Sequence, residues 1–498
     1  MNLICFDNVN AQLKFTDRSA FSAAYNALKF MVPGHKFMPA YRNGTWDGYI
    51  SLFKKTNSTF PTGLIPLVAK AIEKKGLSVA YQDARDLSRD MKMPKDKDIE
   101  NCLNGKTLRD YQIKSVKTVI KQKNGIIHAA TGSGKTVIAA GFVRLARDAG
   151  LKCLFLVNKK ELLYQTQDSF VSAGIPTTVI GDGKREYSDC CCATLQTLYL
   201  GLPVKKKGRY EIVDGKKAWV PATNRPGNPD IMNYLKSVDV VILDECHNGT
   251  SESVLTTMQH CPNALYRIGM TATPLMKSFQ DDLKLMAITG DIISRITMKD
   301  LIDRGLLAQP YVKLIKINEP ILPRTVPYGR AYKLGVVQNN HRNNLIIQEA
   351  LDLAKDGKTI LILVAQIQHG KILSGILSDY PGLKHKFIHG SKSKEIRREA
   401  IDLLKKEKIN ILISSTIADE GLDIPTVSAV ILAGSGKSNI KLYQRIGRGM
   451  RPKEGENFTF IVDFIDLSQK HLAKHSLARY EILRDEPGFI IVENFSRI

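Results

Sequence analysis

The sequence predicts an α/β protein: two parallel-sheet domains in tandem behind a small α/β N-terminal domain. Three observations carry this. A chain of 498 residues is too long for one hydrophobic core. From about residue 107 onward, short Val/Ile/Leu-rich runs (GIIHAA, LKCLFLV, DVVILDE, YRIGMTA, TILILVA, INILISS, VSAVILA, FTFIVDF) alternate with helical stretches. Strands buried on both faces read this way, so helix-covered parallel sheets follow. Residues 1–82 have a different texture. There LICFD and AQLKF alternate as strands, and DRSAFSAAYNALKFM has helical spacing with Asp17 as N-cap. TWDGYISLF is strand-like, PTGLIPLVAKAIEKKG is helical and ends on Gly76, and LSVAYQ returns as a strand.

The expected division is 1–82 for the N-terminal domain and 83–106 for a charged linker, where hydrophobicity drops. The first parallel-sheet domain is expected over 107–305, with an insertion at about 203–228, and the second over 306–498.

A net charge of +23 points to a polyanionic partner, nucleic acid being the commonest. The eight cysteines form no C-x-x-C pair, and Cys190-Cys191-Cys192 reads as a buried strand rather than a metal site. The start, MNLICFDNVN, has no basic n-region or long apolar run, and no apolar run could span a bilayer. A reducing cytoplasm is the expected location, with no membrane partner.

AATGSGKT (129–136) follows an apolar strand and precedes the helical VIAAGFVRLARDAG. Glycines at a helix N-terminus let backbone N–H groups wrap phosphates, so Thr131, Gly132, Ser133 and Gly134 form the cradle. Lys135 would reach the β- and γ-phosphates, and the Thr136 hydroxyl would bind Mg²⁺. VVILDECH (240–247) ends a strand in paired carboxylates. Asp244 would hold the metal, largely through water, and Glu245 would deprotonate the attacking water. In LYQRIGRGMRP (442–452), Arg448 and Arg451 could both face a γ-phosphate. ATP and Mg²⁺ are the cofactors this chemistry calls for.

The order LRDYQ, ATGSGKT, LVNKKELLYQ, TLQTL, DECH, TATP, ISSTIADEGLDIP, QRIGRGMR resembles the superfamily 2 helicases and translocases of the DExH type, over about 370 residues. Ala129, where the strict phosphate-loop pattern has Gly, is a departure that many helicases share. The resemblance implies two RecA-like domains that sandwich ATP and bind one strand across their tops. It implies that Gln112 reads the adenine, with Arg109 nearby, and that Gly421, Asp423 and Gln444 lie against the nucleotide from the second domain. His247, Thr271 and Thr273 would couple nucleotide state to strand grip, the alternative for His247 being a satisfied core histidine. Lys159, Lys160, Thr197 and Thr416 would grip the strand, mostly at phosphates.

GHKFMPAYRNGTWDGYISLFKK followed by FPTGLIPLVAKAI resembles the N-terminal domain of the phage UvsW family of recombination helicases. The resemblance implies action on stalled forks, branched DNA and R-loops. Trp46, Tyr41, Arg42 and Lys54 could form a DNA-contacting face; the alternative for Trp46 is a core position.

RYEIVDGKKAWVP (209–221) reads as a β-hairpin turning at Asp214-Gly215, placed where helicase cores need only a short connection. Strand alternation puts Tyr210, Ile212, Ala218 and Val220 on one face and Trp219 opposite. Lys206 would hold a phosphate, and Tyr210 or Trp219 would stack on a splayed base, making a strand-separating pin. The alternative is a surface insertion, or one packed against the N-terminal domain.

The expected activity is that of an ATP-dependent DNA helicase that unwinds and branch-migrates junctions, forks and R-loops in phage replication, recombination or repair. Its expected partners are branched, forked or single-stranded DNA and RNA–DNA hybrids, acting as a monomer in the host cytoplasm. The rivals are a duplex translocase, an RNA helicase without branch specificity, and an ATP-gated nucleic-acid clamp.

Overall fold

A computed structural model describes residues 2–206, 209–213, 216–220, 223–273, 278–415, 427–434 and 457–493. By internal contacts the chain divides into two compact units, Met1–Ala129 with Gly134–Arg295, and Ala130–Ser133 with Ile296–Ile498.

The first unit opens with a four-stranded sheet in the order Thr59–Pro61, Asn10–Lys14, Asn2–Phe6, Val79–Asp83. Helices Arg18–Ala27 and Ile65–Glu73 cover it. Asp17 caps the first helix as expected, its carboxylate accepting the Ser19 N–H at 2.7 Å. Ala11 and Leu13 point inward between exposed neighbours, and with Ile4, Phe60, Leu64 and Val68 they make the core.

That core does not close on itself. Leu283 is buried in it, and Met286 and Ala287 pack against it, all three from the helix Phe279–Thr289 that follows the TATP segment. The approach is closest at Gly63, where an added Cβ would run into the Met286 carbonyl oxygen. The intervening charged stretch is strapped down rather than loose. Arg89 pairs with Asp239 at 2.7 Å, Lys123 pairs with Asp90 at 2.9 Å, and the Tyr266 hydroxyl accepts the Met91 N–H at 2.9 Å. Met91, Ile99 and Leu103 are buried, so sparse apolar residues at the right places hold a segment whose composition is polar.

Next comes an eight-stranded sheet in the order Lys184–Arg185, Thr178–Gly181, Cys190–Thr194, Cys153–Val157, Val240–Asp244, Tyr266–Thr271, Asn124–Ala129, Ile292–Ile296. The neighbouring strands from Thr178–Gly181 to Asn124–Ala129 pair in parallel, as the apolar runs predicted. Cys190, Cys191 and Cys192 are fully buried in their strand, and burial drives the Cys190 and Cys192 thiols up. Among the described residues no group of His, Cys, Asp and Glu could hold a metal ion by itself.

The inserted segment forms two antiparallel ladders, Val204–Lys206 with Thr223–Arg225 and Arg209–Val213 with Lys216–Val220. The inner ladder pairs Tyr210 with Trp219 and Glu211 with Ala218. This corrects the alternation read from sequence. The cross-strand register sets the two aromatic positions opposite one another, whereas counting each strand separately divided them; Asp214 and Gly215, the expected turn, lie outside the described residues.

The second unit holds a seven-stranded sheet, ordered His385–Ile388, Ile411–Ser415, Ile360–Val364, Ala429–Leu432, Phe458–Asp466, Gln309–Ile317, Ile490–Val492. Every pairing in it is parallel. Two fully buried arginines are matched at its strand Phe458–Asp466: Arg342 with Asp466 at 2.7 Å and Arg479 with Asp463 at 2.9 Å. Buried charge is tolerated there because each guanidinium finds a carboxylate and backbone carbonyls. No helix among the described residues is long and apolar enough to cross a membrane.

Candidate active site

The strand Asn124–Ala129 ends in the phosphate-loop sequence, and the helix Lys135–Asp148 starts directly after it. Gly132 (φ 90°) and Gly134 (φ 79°) both take the left-handed conformation that lets the loop curl back on itself. Gly134 is also constrained by packing, since a Cβ there would come within 2.6 Å of the Gln112 side-chain amide. Gln112 is buried at the start of the helix Asp110–Gln122, where its carbonyl oxygen accepts the Arg109 N–H at 2.9 Å. The residue expected at the adenine therefore lies against the phosphate loop, with Arg109 beside it.

Across from the loop, the strand Val240–Asp244 delivers the two carboxylates. Glu245 has φ 45°, a left-handed backbone that costs a non-glycine residue about 1–3 kcal/mol and is found where geometry serves a site. The turn brings Glu245 Oε1 to 3.3 Å from the Lys135 ammonium, while Asp244 accepts the Glu245 N–H at 2.9 Å. Burial drives the Asp244 carboxyl above its usual range, and the neighbouring Glu245 charge adds to that, with Lys135 partly offsetting both. Burial opposes charge on Glu245 too, but there Lys135 and His247 prevail and hold it below the usual carboxylate range. Lys135 is itself raised: burial works against its charge, and Glu245 with Asp244 outweighs that.

His247 joins this pair to the next motif. It is buried, its Nδ1 sits 3.2 Å from Glu245 Oε2, and the same nitrogen makes a 2.9 Å hydrogen bond with the Thr271 hydroxyl. The Thr271 oxygen also accepts the Thr273 N–H at 3.2 Å. The three residues expected to couple motifs thus form one connected path from the Glu245 carboxylate to the TATP strand.

A further member was missed in the sequence. His128, in the strand leading to the phosphate loop, makes a 2.9 Å hydrogen bond through Nε2 to the Ala272 carbonyl. Burial keeps it neutral, lowering its pKa below the ordinary histidine value. The strand register aligns His128 with Thr271, so the threonine loop is pinned from both sides. The available signal was a lone imidazole in an otherwise apolar strand.

The expected nucleic-acid contacts are dispersed. Lys159 caps the helix Lys160–Ser172, and Lys160 is tied to Asp182 at 2.6 Å, which raises its pKa through that hydrogen bond. Thr197 accepts a 2.9 Å hydrogen bond from Thr194. Trp219 is exposed on the inserted hairpin, and Lys206 and Tyr210 lie on its strands. Trp46 is half-buried with its indole N–H donated to the Tyr49 carbonyl at 2.7 Å, the geometry of a structural tryptophan. Thr416, Gly421, Asp423, Gln444, Arg448 and Arg451 lie outside the described residues.

Three family models match the chain: DNA helicase UvsW, N-terminal, over 2–82; type III restriction enzyme, res subunit, over 105–276; and helicase conserved C-terminal domain, over 342–453. A protein of Sulfolobus islandicus filamentous virus, provisionally named helicase 22, is 28% identical over 417 residues, covering 78% of this chain and 69% of its own. The ATP-dependent DNA helicase uvsW of Enterobacteria phage T4 is 22% identical over 499 residues, 94% of each chain. Among solved structures, a fragment of an HsdR-type restriction subunit from Vibrio vulnificus YJ016 superposes with a TM-score of 0.54 at 21% identity, over 80% of this chain and 72% of that one. That likeness concerns the fold alone. A helicase C-terminal match behind the phosphate loop and DECH box, with the UvsW-type domain in front, places the chain among the UvsW-like DExH helicases of superfamily 2, nucleic-acid-dependent ATPases.

Proposed function

We propose that this helicase acts on branched DNA, unwinding and branch-migrating junctions and forks, with R-loops as a further substrate, in phage replication, recombination or repair. The observation that carries the reading is the UvsW-type N-terminal domain, whose core is completed by the helix following the TATP motif of the ATPase domain. Whatever that domain grips is then tied directly to the motor.

In this reading Lys135 neutralises the β- and γ-phosphates, held by the loop Thr131–Gly134, while Gln112 and Arg109 face the base. Asp244 and the Thr136 hydroxyl suit Mg²⁺: both are hard oxygen donors, and a carboxylate raised by burial gains from a cation beside it. Bound there, the metal would withdraw charge from the phosphate oxygens. Glu245, kept ionised by Lys135 and His247, takes a proton from the attacking water as its oxygen bonds the γ-phosphorus and the bond to the β-phosphate oxygen breaks. The shift in Glu245 charge is felt at His247 and passes to Thr271 and Thr273. From the second domain, Gly421, Asp423, Gln444, Arg448 and Arg451 would complete the site on closure. Lys159, Lys160, Thr197 and Thr416 would hold phosphates, and the hairpin with Lys206, Tyr210 and Trp219 would part the strands. The enzyme would work as a monomer in the host cytoplasm.

The test is ATP-driven dissociation of a synthetic four-way DNA junction by intact protein, Lys135→Ala, and a variant with 203–228 replaced by a short Gly-Ser link. Intact protein should resolve the junction, and Lys135→Ala should bind DNA without turnover. The linked variant should hydrolyse ATP without separating strands. Brisk DNA-stimulated ATPase with the junction left intact by the unmodified protein would overturn the branched-DNA reading in favour of a translocase.

A further inference from the structure

The N-terminal domain carries a knob that none of the motif residues explains. One turn of 3-10 helix, His35–Phe37, runs through Met38 into the short helix Pro39–Arg42. The knob is braced from within. His35 is buried, its Nδ1 hydrogen-bonded to the Val32 carbonyl at 2.9 Å, and its ring meets Tyr41 edge-on at 4.7 Å. Gly48 (φ 82°) makes room for that pair, since a Cβ there would lie 2.9 Å from the His35 ring and 3.3 Å from Tyr41. Arg42 closes the turn by donating from Nε to the Lys36 carbonyl at 3.2 Å.

On the outside of this brace stands Phe37, 78% exposed and the most exposed aromatic side chain among the described residues, with Met38 exposed beside it. A rigid support presenting a phenyl ring to water forgoes the burial that such a ring normally gains. The surroundings are basic. Between residues 29 and 55 there are five Lys and Arg (Lys29, Lys36, Arg42, Lys54, Lys55) against one acid (Asp47), a local +4. An apolar tip in a cationic field matches a site where negative phosphates flank an open base-pair face. Continuous duplex hides its base faces in the stack, whereas a branch point exposes them.

We propose that Phe37 is the base-stacking wedge of the N-terminal domain, inserting at a DNA branch point while Lys36 and Arg42 hold the flanking phosphates. The inference rests on the branched-DNA reading, and it moves the aromatic contact from Trp46, which is half-buried with its indole N–H bonded to Tyr49, to Phe37.

The test uses the full chain and two DNAs of equal length, a four-way junction with 2-aminopurine at the crossover and a linear duplex. Affinities are measured for intact protein, Phe37→Ser and Phe37→Leu. Intact protein should prefer the junction and change the 2-aminopurine fluorescence. Phe37→Ser should lower the junction-over-duplex affinity ratio about tenfold, the scale of one stacked base, and lose the fluorescence change. Phe37→Leu should recover most of both, because an apolar wedge suffices. The exposed position predicts an unchanged thermal midpoint, so the loss cannot be ascribed to unfolding. If intact protein and Phe37→Ser share the same junction preference and fluorescence, the wedge is refuted while the branched-DNA reading stands. If intact protein shows no junction preference at all, the branched-DNA reading itself fails and the wedge with it.

Discussion

Lys135 is engaged by Glu245, and this makes a quantitative prediction for Glu245→Gln. The ammonium lies 3.3 Å from Glu245 Oε1, with 18% of the lysine and 23% of the glutamate side chain exposed. At that separation Coulomb attraction is roughly 5 kcal/mol for an effective dielectric of 20. Most of it is offset by the water both groups give up, and at this partial exposure a net value of about 1 kcal/mol is the reasonable scale. In the proposed mechanism ATP must draw Lys135 away from Glu245 before its phosphates gain the charge. Removing the carboxylate charge should therefore tighten ATP binding about fivefold, since about 1.4 kcal/mol corresponds to tenfold. The same change removes the proposed general base and should slow turnover by about 10²–10⁴. Equilibrium titration with a fluorescent ATP analogue, alongside phosphate release, separates the two effects. Weaker or unchanged nucleotide affinity in Glu245→Gln would refute the argument that this ion pair competes with the phosphates.

Gly63→Val should destabilise the joint between the N-terminal sheet and the helix Phe279–Thr289 by about 1–3 kcal/mol, because its side chain would meet the Met286 carbonyl. A lower urea midpoint, with earlier proteolytic release of residues 1–82, is the expected result, and an unchanged midpoint would count against the shared core. His369 tests a pH effect in the second unit. It is fully buried, its Nε2 is hydrogen-bonded to Asn343 at 2.9 Å, and burial together with Arg342 lowers its pKa to about 3. The folded protein keeps it neutral, whereas the unfolded chain takes up a proton below about 6.5, so stability is full above that pH and falls as pH drops towards 3. At pH 5 the loss is roughly 2 kcal/mol, about 1.5 pH units at 1.36 kcal/mol each. His369→Gln should flatten the fall in urea midpoint between pH 6.5 and 5; parallel profiles for the two proteins would exclude His369 as its source.

Much of this protein could be read from neighbours in the chain. The helix cap at Asp17, the phosphate loop ahead of Lys135–Asp148, the strand that delivers Asp244 and Glu245, and the ladder of Arg209–Val213 with Lys216–Val220 all depend on residues a few positions apart. Their signals are local because the physics is local: a cap satisfies an N–H two or three residues on, and a two-residue turn needs its own backbone conformations. The eight- and seven-stranded sheets were foreseeable in kind, since strands covered on both faces must be apolar throughout.

What sequence alone determined was therefore the kind of elements and the family they belong to. The tertiary structure alone decided how distant residues are used. It put His128 under the threonine loop, 144 positions from Ala272, and completed the N-terminal core with Leu283. It also turned Trp46 into the fold and Phe37 out of it, although both sit in the same aromatic, basic run. An aromatic residue has the same apolar surface wherever it is written; whether that surface is buried depends on which other segments close over it, and that is settled only when the whole chain has packed.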